Sequence, residues 1–243
     1  MRTILVILFL IVFAIISIPL YVVEYVIGKF SPEKKVATSQ FIVTRALRCI
    51  LFLSGTKMTV KGLENVPKDT PVLYVANHRG YFDIIVSYVT VPTLTGFIAK
   101  KQMEKVPCIA RWMKNLNCLF LDRDNIREGL KTILQGIENI KNGYSIFIAP
   151  EGTRTPGKEM LPFKEGSFKL AEKSGCPIIP IAITNTEACF ENQFPWIKSA
   201  KVIIHYGEPV YMKELDKETK KRIGAYVQDK IKTMLDEDEK ELN

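Results

Sequence analysis

Three features of the chain predict an α/β fold, a mostly parallel mixed sheet covered by helices and preceded by an N-terminal hydrophobic helical membrane-binding region. Short apolar runs alternate with helical patterns from about residue 57 onward, polar loops follow several of those runs, and the first 56 residues are far more apolar than the rest. A length of 243 residues suits one domain of ordinary size with a sizeable core plus an attachment. The division expected is therefore 1–56 for membrane-associating helices and 57–243 for the α/β domain.

Between Arg2 and Glu24 runs TILVILFLIVFAIISIPLYVV, 21 residues without a charge. As a helix rising ~1.5 Å per residue it covers the ~30 Å hydrocarbon core of a bilayer. It is long for a signal peptide, and SIPLYVVEY contains no small-x-small cleavage site, so the segment is expected to be retained. The second apolar patch, Phe41 to Gly55, is interrupted by Arg45 and Arg48 three positions apart on one helix face, which suits an amphipathic surface helix better than a span. Lys29, Lys34 and Lys35 follow the first segment and Arg2 precedes it, so the positive-inside rule places the bulk of the chain on the cytoplasmic side of the cell membrane.

After a strand-like start at Met58 to Val60 and a proline-bounded turn, Val72 to Ala76 reads as a buried strand, with Asn77 and His78 just past its end. YFDIIVSYV is helix-like although rich in β-branched residues. TGFIA, CLFLD, YSIFIAP, PIIPIAIT and KVIIHYG are further short apolar runs, and NIREGLKTILQGIENIKNG is a helix between two of them. The tail from Lys213 is a charged helix with an apolar stripe at Ile223, Val227, Ile231 and Leu235.

The formal charge of +8 calls for an anionic partner. Without a nucleic-acid-type basic run, zinc-finger spacing or RNA-binding aromatic signature, membrane lipid headgroups account for it better than nucleic acid, and an acidic carrier protein also fits. Cys49, Cys108, Cys118, Cys176 and Cys189 are odd in number and lack C-x-x-C spacing, as expected of reduced thiols. With two histidines far apart, no metal-ligand set is expected, and His205 inside KVIIHYG reads as structural.

In α/β sheets, chemistry gathers at the carboxyl ends of strands. Three loops begin there. In NHRGYFD, His78 precedes Asp83 by five positions, too far for one face of a regular helix, so a turn at Gly80 must fold the carboxylate back. A carboxylate on one imidazole nitrogen fixes the tautomer and leaves the other nitrogen as a base; the alternative is a satisfied structural histidine beside an unrelated aspartate. In IAPEGTRTPGKE, Gly152, Gly157 and Lys158 imitate a nucleotide-binding G-x-x-x-x-G-K, but Glu159 replaces the magnesium-holding Ser or Thr, and Pro156 and Pro162 obstruct the helix. What remains is Glu151 and Arg154 on a glycine-bearing turn, suited to a polar or phosphorylated group. In FLDRDN, Arg123 follows the CLFL run. No G-x-S-x-G nucleophile elbow occurs.

The order NHRGYFD, NCLFLDR, APEGTRT, CPIIPIAI resembles the four sequence blocks of the glycerolipid acyltransferases, and among them the bacterial 1-acyl-sn-glycerol-3-phosphate (lysophosphatidic acid) acyltransferases, over Val60 to Ile183. His78 and Asp83 match the H-x-x-x-x-D block, Arg123 the second, and Glu151, Gly152, Thr153 and Arg154 the third. Asn117 departs from the glycine that usually opens the second block, and Ala149 from a frequent phenylalanine. The resemblance implies transfer of an acyl chain from a thioester of acyl-carrier protein or coenzyme A to the sn-2 hydroxyl of lysophosphatidic acid, without a covalent enzyme intermediate and without metal or nucleotide cofactor. It implies His78 as base, Asp83 as its orienter, Arg123 and Arg154 on the acceptor phosphate, and Glu151 on a glycerol oxygen or on the arginines. Lys100, with Lys101, would add positive charge for the oxyanion or phosphate. Other readings are another lysophospholipid or glycerol-phosphate acyltransferase, a hydrolase using the same base, or a non-catalytic lipid-binding membrane protein.

Overall fold

The computed structural model describes residues 1–155 and 159–242. Two long helices lead the chain, α1 (Arg2–Phe30) and α2 (Pro32–Ser54). Each is long and apolar enough to cross a bilayer by length and composition. Ser31 separates them in extended backbone and caps α2 by accepting the Lys34 N–H, while Pro32 opens the new helix where no amide donor is needed. Helix α1 continues past the uncharged run through Glu24, which is buried because its carboxylate accepts the hydroxyls of Thr38 and Ser39 on α2. Ile4, Ile7, Leu8, Ile11, Ile15 and Ile18 face outward, an apolar surface of the extent that marks a membrane-associating region. The arginine-bearing patch forms part of α2, whose opposite face buries Ala46, Ile50 and Leu51.

The strands follow as β1 (Lys57–Lys61), β2 (Leu73–Ala76), β3 (Thr95–Lys100), β4 (Leu119–Leu121), β5 (Ser145–Ile148), β6 (Ile178–Thr184) and β7 (Lys201–Tyr206). Between and after them lie α3 (Tyr81–Thr90), α4 (Pro107–Asn115), α5 (Ile126–Lys141), α6 (Lys169–Ser174), α7 (Lys217–Lys221) and α8 (Ile223–Leu242). The sheet order is β1-β7-β6-β2-β5-β3-β4, parallel at every junction except β6 with β7. Two apolar layers cover it. Tyr74, Phe82, Val86, Phe97 and Phe147 pack on one face, and Leu73, Val75, Ile146, Phe168, Leu170 and Ile231 on the other. Burial on both faces is why the strands read as continuous apolar runs rather than alternating ones.

Asn117, where the resembling family usually has glycine, has φ 56°, a left-handed conformation that asparagine tolerates better than most residues. The turn it makes brings its carbonyl against Gly96 of β3, where a Cβ would lie 2.4 Å from that oxygen.

Candidate functional site

Parallel strands point their carboxyl ends the same way, and β6, β2, β5, β3 and β4 are consecutive neighbours. The loops leaving three of them carry His78 (β2), Glu151 to Arg154 (β5) and Arg123 (β4), and Lys100 is the last residue of β3, so the sequence-selected residues collect along one sheet edge.

Asn77 ties the exit of β2 to β6 by giving its side-chain amide to the Ile183 carbonyl and accepting the Ile183 N–H. Beyond it, Asp83 occupies the first turn of α3 and reaches back. Its Oδ2 receives the backbone N–H groups of Arg79 (2.7 Å) and Gly80 (2.8 Å), and stands 2.8 Å from His78 Nδ1. Its Oδ1 accepts the Thr186 hydroxyl. A carboxylate can only accept here, so His78 Nδ1 carries the proton and Nε2 is left as the acceptor on a side chain that is 20% exposed.

The fold-back does not come from a left-handed Gly80. That residue is extended, at φ −148° and ψ 171°, and the reversal is made by the start of α3. A Cβ there would lie 2.7 Å from Glu191 Oε2, so a larger residue would require the Glu191 side chain to shift.

Glu151 is 4% exposed and fully engaged: Oε1 accepts the His78 N–H at 2.8 Å, while Oε2 accepts the Leu161 N–H at 2.9 Å and the Thr155 hydroxyl. The Thr155 N–H returns to the His78 carbonyl at 2.9 Å. This corrects the expectation that Glu151 binds a glycerol oxygen or orders the arginines. Its oxygens are turned inward and lock the peptide groups of His78 to the β5 loop.

Arg154 and Arg123, expected together, have different neighbours. The Arg154 guanidinium lies 3.9 Å from the Tyr81 ring centre and 3.4 Å from Glu191 Oε1, which also accepts the Tyr81 N–H. Burial raises the pKa of Glu191, and the nearby Asp83 charge adds to that. Arg123 instead lies over Gly152 (φ 81°) beside Lys164, on a cleft of about 220 Å³ also lined by Ile98, Ile126 and Ile148. Desolvation by the surrounding atoms lowers the guanidinium pKa of Arg123. Thr153 is exposed. Lys100 ends β3, and its neighbour Lys101 pairs with Asp122 at 3.1 Å. Gly157 and Lys158 of the nucleotide-loop imitation lie outside the described residues. His205 sits apart from the site on β7, 3.3 Å from Asp238 of α8. No cluster of three or more metal-ligating side chains occurs among the described residues.

Sequence reasoning missed three contributors. Thr186 and Glu191 follow β6 in one short segment and brace Asp83, Tyr81 and Arg154. Lys164 follows the buried Phe163 in PFKEG and stands against Gly152. The only local hint was that polar residues cluster after PIIPIAIT, itself a strand.

The family model described as Acyltransferase matches residues 57–184. A protein of Borreliella burgdorferi named 1-acyl-sn-glycerol-3-phosphate acyltransferase is 30% identical over 79% of this chain and 77% of its own length. A Saccharomyces cerevisiae protein of the same name is 31% identical over 82% of this chain, which spans 65% of that relative's length. Among solved structures, the 1-acyl-sn-glycerophosphate acyltransferase of Thermotoga maritima superposes with a TM-score of 0.76 at 27% identity, covering 98% of this chain and 97% of that one.

Proposed function

The chain belongs to the acyltransferase family, and from that premise we propose that it is a 1-acyl-sn-glycerol-3-phosphate acyltransferase, making phosphatidic acid from lysophosphatidic acid and an acyl thioester. The observation that carries this reading is the His78–Asp83 pair, with Nε2 left as the acceptor and both oxygens of Asp83 hydrogen-bonded in place.

In this mechanism Nε2 takes the proton of the sn-2 hydroxyl as its oxygen attacks the thioester carbonyl. The tetrahedral intermediate collapses with cleavage of the C–S bond, and the imidazolium returns the proton to the departing thiolate. Asp83 keeps the tautomer and stabilises the imidazolium, and general-base help of this kind is worth about 10² to 10⁴ in rate. No thiol or hydroxyl of the enzyme is acylated. Arg123 takes the acceptor phosphate, and Arg154 joins it by exchanging Glu191 for phosphate. Lys100 supplies long-range positive charge, and neither metal nor nucleotide enters the reaction. The donor is an acyl-carrier protein or coenzyme A thioester. α1 and α2 hold the domain at the membrane, with Lys29, Lys34 and Lys35 keeping it on the cytoplasmic face.

Purified protein assayed with lysophosphatidic acid and monoacylglycerol, each with both thioester donors, tests the reading. Phosphatidic acid formation should exceed diacylglycerol formation by at least tenfold in kcat/KM. Equal use of the two acceptors, or hydrolysis of the donor without transfer, overturns it.

A further inference from the structure

We propose that Lys164 is a specificity-determining residue for the acceptor, binding its phosphate together with Arg123 across Gly152. The proposal rests on the functional reading above and assigns a role to a lysine outside all four sequence blocks.

The position a Cβ would take on Gly152 is 2.9 Å from Lys164 Nζ and 3.6 Å from Arg123 Cζ, so two cationic groups flank one point. Neither makes an ion pair among the described residues. One carboxylate, Asp122, lines the same cleft, and its oxygens are spent on Lys101 and on the N–H groups of Asp124 and Asn125. Two like charges held close without a counter-ion repel, and an anion placed between them converts that repulsion into attraction to both. A phosphate monoester has the charge and the number of acceptor oxygens for this, accepting a guanidinium fork on one side and an ammonium on the other.

The surrounding backbone is built to hold that arrangement. The Lys164 N–H donates to the Pro150 carbonyl, and the preceding Phe163 is buried, with its N–H on Gln228 of α8. The lysine is thus anchored at its root and open at its tip. Gly152 has φ 81° and would place any side chain between the two cations, where it would occupy the anion's position. The residue before it, Glu151, holds the His78 N–H, so the cleft is joined to the base through one carboxylate.

The test compares wild type, Lys164→Ala and Lys164→Arg with lysophosphatidic acid and monoacylglycerol as acceptors, and with glycerol 3-phosphate as a competitive inhibitor. Lys164→Ala should raise KM for lysophosphatidic acid about tenfold with kcat within about twofold, and lower the preference for it over monoacylglycerol by the same factor. The inhibition constant of glycerol 3-phosphate should rise in parallel, and Lys164→Arg should recover most of both. Equal losses on the two acceptors, or unchanged inhibition by glycerol 3-phosphate, overturn the proposal while a wild-type preference for lysophosphatidic acid leaves the functional reading standing. A wild-type enzyme indifferent to the acceptor phosphate, yet inhibited by glycerol 3-phosphate in a Lys164-dependent way, removes that reading and keeps the anion site.

Discussion

The loop from Asn77 to Asp83 and the cleft over Gly152 are adjacent in space and opposite in construction. In the loop, each oxygen of Asp83 and Glu151 is bonded to protein, and His78 is held by its ring, its N–H and its carbonyl. In the cleft, Arg123 and Lys164 both approach Gly152, and neither makes an ion pair among the described residues. A base must be positioned before substrate arrives, because its contribution depends on geometry fixed in advance. A binding site for a charged group must instead leave its own charge unspent, since a cation already paired gives up that pair when the ligand binds. Arg154 stands between the two designs, stacked on Tyr81 and paired with a half-buried Glu191.

The largest expected effect breaks the loop at its centre. His78→Ala should lower kcat by at least ~10², and Asp83→Asn should do nearly the same by favouring the wrong tautomer, with KM for lysophosphatidic acid little changed in both. Steady-state kinetics on folded protein check this, and near-normal turnover in either variant removes the base assignment.

Next, the two regions should separate when stability and affinity are measured together. Glu151→Gln puts an amide donor against the Leu161 N–H or the His78 N–H, so it should cost about 1.5–3 kcal/mol of stability and also lower kcat. Arg123→Ala removes a side chain with no ion pair among the described residues and should leave stability within about 0.5 kcal/mol, while raising KM for lysophosphatidic acid roughly tenfold. Denaturant melts beside initial-rate kinetics read both axes. Similar stability losses in the two variants would mean that the cleft is braced like the loop.

The contrast also explains what could be read from the sequence. Strand positions were visible because buried parallel strands are continuous apolar runs, and the family resemblance located His78, Asp83, Arg123 and Arg154 by their motif spacing. The bracing was not visible. Thr186 lies 103 positions from the aspartate it serves, and Glu191 lies 110 from Tyr81, on short turns whose local sequence resembles any polar loop. Glu151 was read as facing substrate because its motif neighbours include Arg154, whereas the fold turns the carboxylate toward the peptide groups of His78 and Leu161. The sequence predicts a turn at Gly80, whereas the reversal is made by the start of α3, with Gly80 itself extended. Lys164 carries no signal in a chain with 34 lysines and arginines, because a surface lysine looks the same whether it faces water or a ligand.

The smallest expected effect uses buried thiols as reporters on the two regions. Cys189 is fully buried in the segment whose Thr186 holds Asp83, and Cys118 is buried where the chain enters β4, which ends near Arg123. Burial pushes both thiols up to about 11, so near pH 8 only about one in a thousand is thiolate, and alkylation requires local opening as well. A thiol whose pKa is raised by folding contributes stability in full below its unfolded value near 8.5, and loses that contribution as pH climbs through about 11. Native protein treated with iodoacetamide at pH 8 should therefore label the exposed Cys49 first and these two last. Thr186→Val removes the hydroxyl donor to Asp83 and should raise Cys189 labelling severalfold while Cys118 stays protected, and Arg123→Ala should change neither. Mass spectrometry of the labelled peptides reads the result. Equal deprotection of Cys189 and Cys118 in Thr186→Val would show that the brace and the β4 edge open as one unit, and the separation drawn between loop and cleft would not hold.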